Sequence, residues 1–98
     1  MRRVEFHEEA RAEFLEAAAR YESQARDLGQ DFITLVERTY TRVQDFPDIG
    51  RPFGRRIRRI IVPRFPYALL YRATPDLIFI VAVMHLHRRP GYWRGRAR

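Results

Sequence analysis

The sequence YALLYRATPDLIFIVAVMHL, residues 67–86, decides the fold. It contains two apolar runs, residues 67–72 and 77–86, separated by Thr74, Pro75 and Asp76. Both runs are rich in the β-branched, aromatic and aliphatic residues of strands, and the three residues between them favour a turn. The stretch therefore predicts two antiparallel strands joined by a tight connection.

Further strands are predicted on either side of this pair. Residues 56–62 form a third run of strand character, which Pro63 and Pro66 separate from residues 67–72. The three runs together predict a β-meander. A short strand is also expected at Arg3–Phe6, and a turn-rich stretch at residues 47–54.

Two segments between the first strand and the meander have apolar residues at spacings of three and four, which is typical of one helix face. The first predicts a helix over residues 8–28, with Gly29 as its C-terminal cap. The second predicts a helix over residues 32–46, which Pro47 ends. A connection of about two residues makes the helices an antiparallel hairpin. The acids Glu9, Glu13, Glu16 and Glu37 fall largely off the apolar stripes and are expected to form a solvated helix face.

The predicted order is β-α-α-β-β-β, an α+β fold with a helical hairpin packed on one face of a mostly antiparallel sheet. A length of 98 residues and 46% hydrophobic content favour a single domain over residues 1–98. In the last strand, Leu77, Phe79, Val81 and Val83 would face one way, and Ile78, Ile80, Ala82 and Met84 the other. Both faces are apolar, so either the C-terminal tail folds back over the second face or a partner chain covers it.

Charge is divided unequally along the chain. Residues 1–50 hold 7 Arg and 11 acids, a charge of −4, whereas residues 51–98 hold 12 Arg and only Asp76, a charge of +11. The second half therefore favours an acidic partner, such as nucleic acid, a nucleoprotein machine or an acidic protein. All 19 cationic residues are Arg, which is attributed to a coding bias. The clustering of these charges along the chain is therefore informative, whereas the choice of Arg over Lys is not.

The absence of cysteine excludes disulfides, thiolate metal sites and thiol nucleophiles, and suits a cytoplasmic protein. The longest apolar run, residues 77–84, has eight residues, against about 20 for a membrane span. His85 and His87 project from one strand face, but only His7 could complete a metal site, so neither a metal nor a cofactor is expected.

Two clusters are candidate functional groups. Arg55, Arg56, Arg58, Arg59 and Arg64 lie on and beside the first meander strand, where they either protect an exposed edge strand from aggregation or form an anion-facing surface. In the C-terminal segment, Tyr92 and Trp93 either stack on nucleic-acid bases or tie the tail to the sheet. No Ser-His-Asp arrangement or carboxylate pair is discernible in the second half of the chain.

As a constellation, the segments resemble the RelE/ParE superfamily of toxins from type II toxin-antitoxin systems over residues 4–96, and more closely its ParE-like branch. In the first half the matching residues are Ala10, Glu13, Leu15, Ala18, Tyr21, Glu22, Leu28, Gly29, Phe32, Phe46, Pro47 and Gly50. In the second half they are Arg51, Pro52, Arg58, Arg59, Arg64, Phe65, Pro66, Tyr67, Tyr71, Ala82, Val83, His85, Arg88, Arg89, Pro90, Tyr92 and Trp93. The fold that the resemblance implies is the one predicted from the residues.

The resemblance implies one of two activities. ParE-like members poison DNA gyrase, whereas RelE-like members cut messenger RNA in the ribosomal A site. The second activity needs acid, base and phosphate-stabilising groups, which those relatives take from lysines, arginines and a C-terminal tyrosine. This chain has no Lys, and Ala68 stands where the ribosome-dependent nucleases tend to place an arginine.

The preferred interpretation is a ParE-like inhibitor of DNA gyrase without catalytic residues, neutralised by a ParD-like or similar antitoxin. The antitoxin would also cover the second apolar face of the sheet, and nucleic acid would be contacted only indirectly. The alternative is a RelE-like ribosome-dependent endonuclease that uses Tyr92, Arg88 and either His85 or His87. A third possibility is a toxin fold that serves only within its antitoxin complex. The expected target- or antitoxin-binding residues are Arg58, Arg59, Arg64, Arg88, Arg89, Tyr92 and Trp93.

Overall fold

The computed structural model describes residues 2–96. Strand β1 (Arg3–Phe6) is followed by helices α1 (Glu8–Gln24) and α2 (Leu28–Asp45). Strands β2 (Arg51–Gly54), β3 (Ile57–Ile61), β4 (Tyr67–Ala73) and β5 (Leu77–His85) come next, and a 3-10 turn, η1, spans Arg94–Arg96. The predicted fold of a helical hairpin on a mostly antiparallel sheet is confirmed, with one additional strand.

The strands form a single sheet in the order β1-β5-β4-β3-β2. β1 runs parallel to β5, and the other neighbouring pairs are antiparallel. β1 is short, and its pairing ends where Phe6 lies opposite Ile80. The second half of β5 therefore has an outer edge with no neighbouring strand, and its backbone groups need other partners.

The helical hairpin turns earlier than the spacing predicts. α1 ends at Gln24, Asp27 adopts a left-handed conformation with φ 67°, and α2 begins at Leu28. The Glu22 carboxylate accepts hydrogen bonds from the backbone N–H groups of Asp27 and Gly29, both at 3.0 Å, and so caps the start of α2. Gly29 is therefore not the cap of the first helix. It lies against the backbone of Ala18, where no Cβ atom fits.

The main core lies between the hairpin and the sheet. Phe32 is fully buried at its centre, with its ring 5.3 Å from Tyr21 and 5.1 Å from Phe65, measured between ring centroids. The other buried members of this cluster are Ala10, Ala17, Ala18, Val36, Val43, Val62, Tyr67, Leu69, Tyr71, Ile78, Ile80 and Val83. The apolar stripes of both helices thus face a common layer, as predicted.

β2 was not predicted, because residues 51–54 were interpreted as part of a turn. Arg51 pairs with Arg59 and Gly54 with Ile57, with an irregularity between Pro52 and Gly54. A proline is tolerated here because β2 is an edge strand. β3 therefore lies inside the sheet, and the interpretation of its arginines as protection of an exposed edge strand is wrong.

A β-bulge in β5 changes which residues share a face. Leu70 pairs with Ala82 and Tyr71 with Ile80, so Val81 is an extra residue on β5. Ile78, Ile80 and Val83 consequently lie in the main core, whereas Val81, Ala82 and Met84 lie in a second core on the opposite face. The strict alternation predicted for this strand is therefore wrong beyond Val81.

The C-terminal tail, residues 86–96, covers the second face of the sheet. Trp93 is 3% exposed and belongs to a core cluster with Ile57, Ala68, Leu70, Val81, Ala82 and Met84. Phe53, Phe79 and Tyr92 pack against this cluster. Of the two predicted alternatives, the structure has the tail folded over this face, so no antitoxin is needed to cover it.

Within residues 2–96, neither helix has the length and apolar character that a membrane span requires.

Candidate binding surface and C-terminal site

A small cavity of about 100 Å³ lies where α1, the end of β5 and the C-terminal tail meet. Its lining includes Arg88, Tyr92 and His85, three of the four residues that the sequence analysis names for the nuclease alternative. The remaining lining residues are Glu13, Glu16, Arg20, Tyr67 and Val83. His87 is exposed and does not line the cavity, so the structure brings together three of the four alternative catalytic residues.

Glu13 and Arg96 form a two-pronged ion pair beside this cavity. Nη1 and Nη2 of Arg96 donate to the two carboxylate oxygens of Glu13, at 3.0 and 3.1 Å. The N–H of Val83 donates to Glu13 at 3.0 Å, and the carbonyl oxygen of Val81 accepts from Arg96 at 3.3 Å. The pair therefore supplies hydrogen-bond partners for the Val83 N–H and the Val81 carbonyl oxygen at the open edge of β5. Glu13 is consequently a structural group, contrary to its interpretation as part of a solvated helix face.

Tyr92 lies between two guanidinium groups. The Arg88 guanidinium is 4.1 Å and the Arg96 guanidinium 5.1 Å from the centre of its ring. Burial, followed by the hydrogen bond and negative charge of Glu13, raises the pKa of the Tyr92 phenol well above its usual value. The phenol therefore stays protonated near neutral pH and is a weaker acid than an ordinary tyrosine.

His85 and His87 contact each other after β5, whereas His7 lies at the start of α1. The N–H of His87 donates to Nδ1 of His85 at 3.1 Å, and the two rings are 5.3 Å apart. His7 instead caps α1, since its Nδ1 accepts from the N–H of Glu9 at 3.1 Å. The part of the chain that the structure describes contains no group of three side chains that could hold a metal ion.

The predicted contact arginines do not form one patch. Nη1 of Arg58 donates to the carbonyl oxygen of Gly50 at 2.7 Å, and its guanidinium lies 3.6 Å from Asp48, on the hairpin side of the sheet. Arg64 lies 3.6 Å from Asp31 of α2. Arg59 lies on the opposite sheet face, and Arg88 and Arg89 are exposed in the tail. These arginines therefore belong to three different surfaces.

Trp93 was predicted both as a contact residue and, alternatively, as a tie between the tail and the sheet. Its ring is buried, and the Trp93 and Phe53 ring centroids are 6.0 Å apart. With the tail in this position, the indole has no free face for a base or a partner, so its role in the structure is to hold the tail on the sheet.

Comparisons with known proteins agree with this fold. The family described as "ParE toxin of type II toxin-antitoxin system, parDE" matches residues 4–90. A chain from the solved "Chromosomal ParDE TA system from P. aeruginosa" superposes with a TM-score of 0.62 at 16% identity, covering 87% of this chain and 96% of that chain. At this identity the superposition shows similarity of fold, and a comparison with curated proteins found no significant match. Because the family match covers most of the 98 residues, the chain belongs to the ParE toxin family of type II toxin-antitoxin systems.

Proposed function

We propose that this protein inhibits DNA gyrase and is held inactive by a cognate antitoxin. The observation that carries the proposal is the match to the ParE toxin family over residues 4–90, which contains both helices, strands β2 to β5 and all but the first residue of β1. No catalytic group of the toxin is required, because gyrase itself cleaves and reseals DNA.

Arg88 and Arg89 are the residues that we expect to contact gyrase. Both are exposed, and neither belongs to an ion pair among residues 2–96. Arg58 and Arg64 already face carboxylates, which reduces the charge that they offer to a target. Charged residues at the edge of an interface mainly raise the association rate, so the contribution of this pair should weaken as salt increases.

The test is a supercoiling assay with relaxed plasmid, purified gyrase and ATP, which scores both inhibition and trapped cleaved DNA over a titration of the protein. Inhibition with trapped cleavage complexes is expected. The variant Arg88→Gln/Arg89→Gln should inhibit at least ten times less effectively. Arg11→Gln/Arg38→Gln removes two exposed helix charges and should inhibit like the natural sequence. Absence of inhibition by folded protein in large excess would reject gyrase as the target.

The antitoxin is proposed as an acidic, partly extended protein, since its carboxylates would be attracted to the +11 half of the chain. The test is co-expression with the neighbouring open reading frame of the operon. Co-purification and a higher unfolding temperature in the complex are expected, because a ligand that binds only the folded state stabilises it. A monodisperse protein that gains no stability from that neighbour would contradict this part of the proposal.

One observation favours a second candidate function, a ribosome-dependent endoribonuclease. Tyr92, Arg88 and His85 line the same cavity, so groups of the kinds that RNA cleavage needs lie together there. The test is the variant Arg88→Ala/Tyr92→Phe in a translating extract with messenger RNA. Loss of cleavage would support the nuclease, whereas a variant with undiminished toxicity would exclude it.

A further inference from the structure

A row of arginine and aromatic side chains runs across the tail-covered side of the sheet, in the order Arg94, Trp93, Phe53, Arg59 and Arg51. The Arg94 guanidinium lies 5.8 Å from the centre of the Trp93 ring, and the Trp93 and Phe53 ring centroids are 6.0 Å apart. The Arg59 guanidinium lies 5.0 Å from the centre of the Phe53 ring. Arg51 of β2 is the direct cross-strand neighbour of Arg59. These contacts form a continuous path across β2, β3 and the tail.

A cavity of about 490 Å³ continues this row at the end of the sheet. Gly54, Arg56 and Arg72 line it together with Arg58 of the hairpin side, so the cavity lies where the two faces of the sheet meet. Gly54 lies directly beneath the tryptophan, because a Cβ atom there would be 3.2 Å from Trp93. We call the surface formed by Arg51, Arg56, Arg59 and Arg94 around Trp93 the Trp93 face.

No acidic residue of the second half of the chain lies on the Trp93 face. The only acid in residues 51–98 is Asp76, which lines a separate cavity with Arg2 and Arg3. None of the five ion pairs within residues 2–96 involves Arg51, Arg59 or Arg94. Like charges directly opposite each other on neighbouring strands are destabilising, and Arg51 and Arg59 are such a pair. A bound anion would relieve that repulsion.

The character of the face distinguishes between anionic partners. Single-stranded nucleic acids stack their bases on exposed aromatic rings, but Trp93 is only 3% exposed. Protein interfaces need apolar anchors at their centre. Five large apolar side chains are exposed among residues 2–96, and none adjoins Gly54 or Trp93 in the sequence or the strand pairing. Leu15, Phe46 and Ile49 lie on the hairpin or just after it, Leu86 begins the tail, and Ile61 lies at the far end of β3 from Ile57. Spaced cations with little exposed apolar surface suit the phosphates of a duplex.

We propose that the Trp93 face binds the phosphate backbone of duplex DNA directly, without gyrase or antitoxin. The guanidinium groups of Arg59 and Arg94 lie on the faces of the Phe53 and Trp93 rings, and both side chains are at least partly exposed, so their outer N–H groups can donate to phosphate oxygens. Binding is independent of base sequence, since backbone contacts alone are made. The choice of DNA over duplex RNA rests on the proposed function, whose target acts on DNA, whereas the phosphate chemistry rests on the face itself.

Fluorescence anisotropy with a labelled random-sequence duplex of roughly 25 base pairs, long enough to present several phosphates to a charged face, tests this proposal. The purified protein is titrated without gyrase at several NaCl concentrations, and its fold is verified by circular dichroism. The logarithm of the association constant should fall linearly with the logarithm of salt concentration, with a slope of about −4 for four phosphate contacts. Arg51→Gln/Arg94→Gln should reduce the size of the slope by about 2. The matched control Arg11→Gln/Arg38→Gln, which also removes two exposed charges, should leave it unchanged.

Weaker binding to a single strand of the same length supports the proposal. Three results would overturn it: no binding at low salt, equal slopes for both double variants, or a preference for single-stranded nucleic acid or duplex RNA. The outcome is separate from that of the gyrase assay. A protein that binds DNA but leaves gyrase unaffected would reject only the proposed function. A protein that inhibits gyrase but does not bind the duplex would reject only the DNA contact.

Discussion

Tyr71 joins the segment after α2 to the sheet through its hydroxyl group. The hydroxyl donates to the carbonyl oxygen of Pro47 at 2.7 Å and accepts from the N–H of Gly50 at 2.9 Å. Gly50 lies so close to the ring that a Cβ atom would be 2.7 Å from the hydroxyl oxygen, so only glycine fits there. Arg58 then donates to the carbonyl oxygen of Gly50 at 2.7 Å. A single buried phenol thus determines where the chain enters β2.

Replacement of this phenol should therefore be costly. Tyr71→Phe leaves the Pro47 carbonyl and the Gly50 N–H without their buried partner, and we expect it to lower the free energy of unfolding by about 2 kcal/mol. Urea denaturation followed by circular dichroism measures the change. Tyr40→Phe removes a half-buried hydroxyl that makes no hydrogen bond among the described residues, and should cost less than about 0.5 kcal/mol. Equal losses for both variants would show that the hydroxyl contacts of Tyr71 do not stabilise the fold.

At the scale of the element, β1 is too short to pair with the whole of β5, and the Glu13–Arg96 pair supplies hydrogen-bond partners to the edge beyond it. Pairing with β1 ends at Ile80, yet β5 continues to His85. Glu13 from α1 and Arg96 from the tail replace the missing strand with side-chain hydrogen bonds to β5. Their side chains are 16% and 10% exposed, so the pair is largely shielded from water. One ion pair therefore ties a helix, a strand edge and the tail together.

Removal of Glu13 should destabilise all three elements. Glu13→Ala leaves the Arg96 guanidinium largely buried, with only the more distant Glu9 carboxylate at 3.5 Å, and we expect a loss of about 3 kcal/mol. The Val83 amide should also exchange its hydrogen faster, which NMR detects. Glu16→Ala, one turn further along α1, is the control and should change neither quantity. Unchanged protection of the Val83 amide in Glu13→Ala would contradict the proposed edge contact.

The tail depends on Trp93 for its attachment to the sheet. Trp93→Ala removes the largest side chain of the second core and should lower the free energy of unfolding by about 4 kcal/mol. Circular dichroism is the appropriate measurement, because Trp93 is the only tryptophan and its fluorescence is lost in the variant. Leu86→Ala truncates a tail residue that is 38% exposed, and a loss below about 1 kcal/mol is expected for it. A small effect of Trp93→Ala would mean that the tail is not a stabilising part of the fold.

At the scale of the whole molecule, the phenols of the two cores are shielded from water on both faces of the sheet. Burial is the main cause that raises the pKa values of Tyr21, Tyr40, Tyr71 and Tyr92 above the usual 10.0. Both cores are thus closed to water around these rings. Folding therefore favours the protonated form of each phenol.

The pH dependence of stability follows from these shifts. A phenol with a raised pKa in the folded state contributes stability that is fully present below pH 10, and this stability is lost as pH rises through the folded-state values. We therefore expect the free energy of unfolding to fall between pH 10 and 12, since the unfolded chain then binds fewer protons. Urea denaturation at pH 8, 9, 10 and 11 measures the decline, which should be shallower in Tyr71→Phe. Rising stability over this range would contradict the assignment of these phenols as buried and protonated.

The sequence by itself determined the elements of the main core. Helical spacing, strand runs and turn residues act over a few neighbouring positions, so both helices, the meander and β1 could be predicted from them. The helix boundary near Gly29 was displaced by a tertiary contact, since that glycine is required by the approach of the two helices. Arg88 and Tyr92 could be selected from the sequence only through the family resemblance, which matches them to residues of the nucleases, and the structure places them beside His85 in one cavity.

Only the tertiary structure decided how the second face and the candidate site are assembled. Glu13 and Arg96 are 83 residues apart, and no local pattern distinguishes Glu13 from the exposed acids around it. The extra residue Val81 redistributes the apolar side chains of β5 between the two cores, and an unbroken apolar run does not reveal a bulge. Trp93 became a buried side chain because the tail lies across the sheet. These features depend on which distant segments meet, and that is set by the packing of the whole chain rather than by the preference of any one stretch.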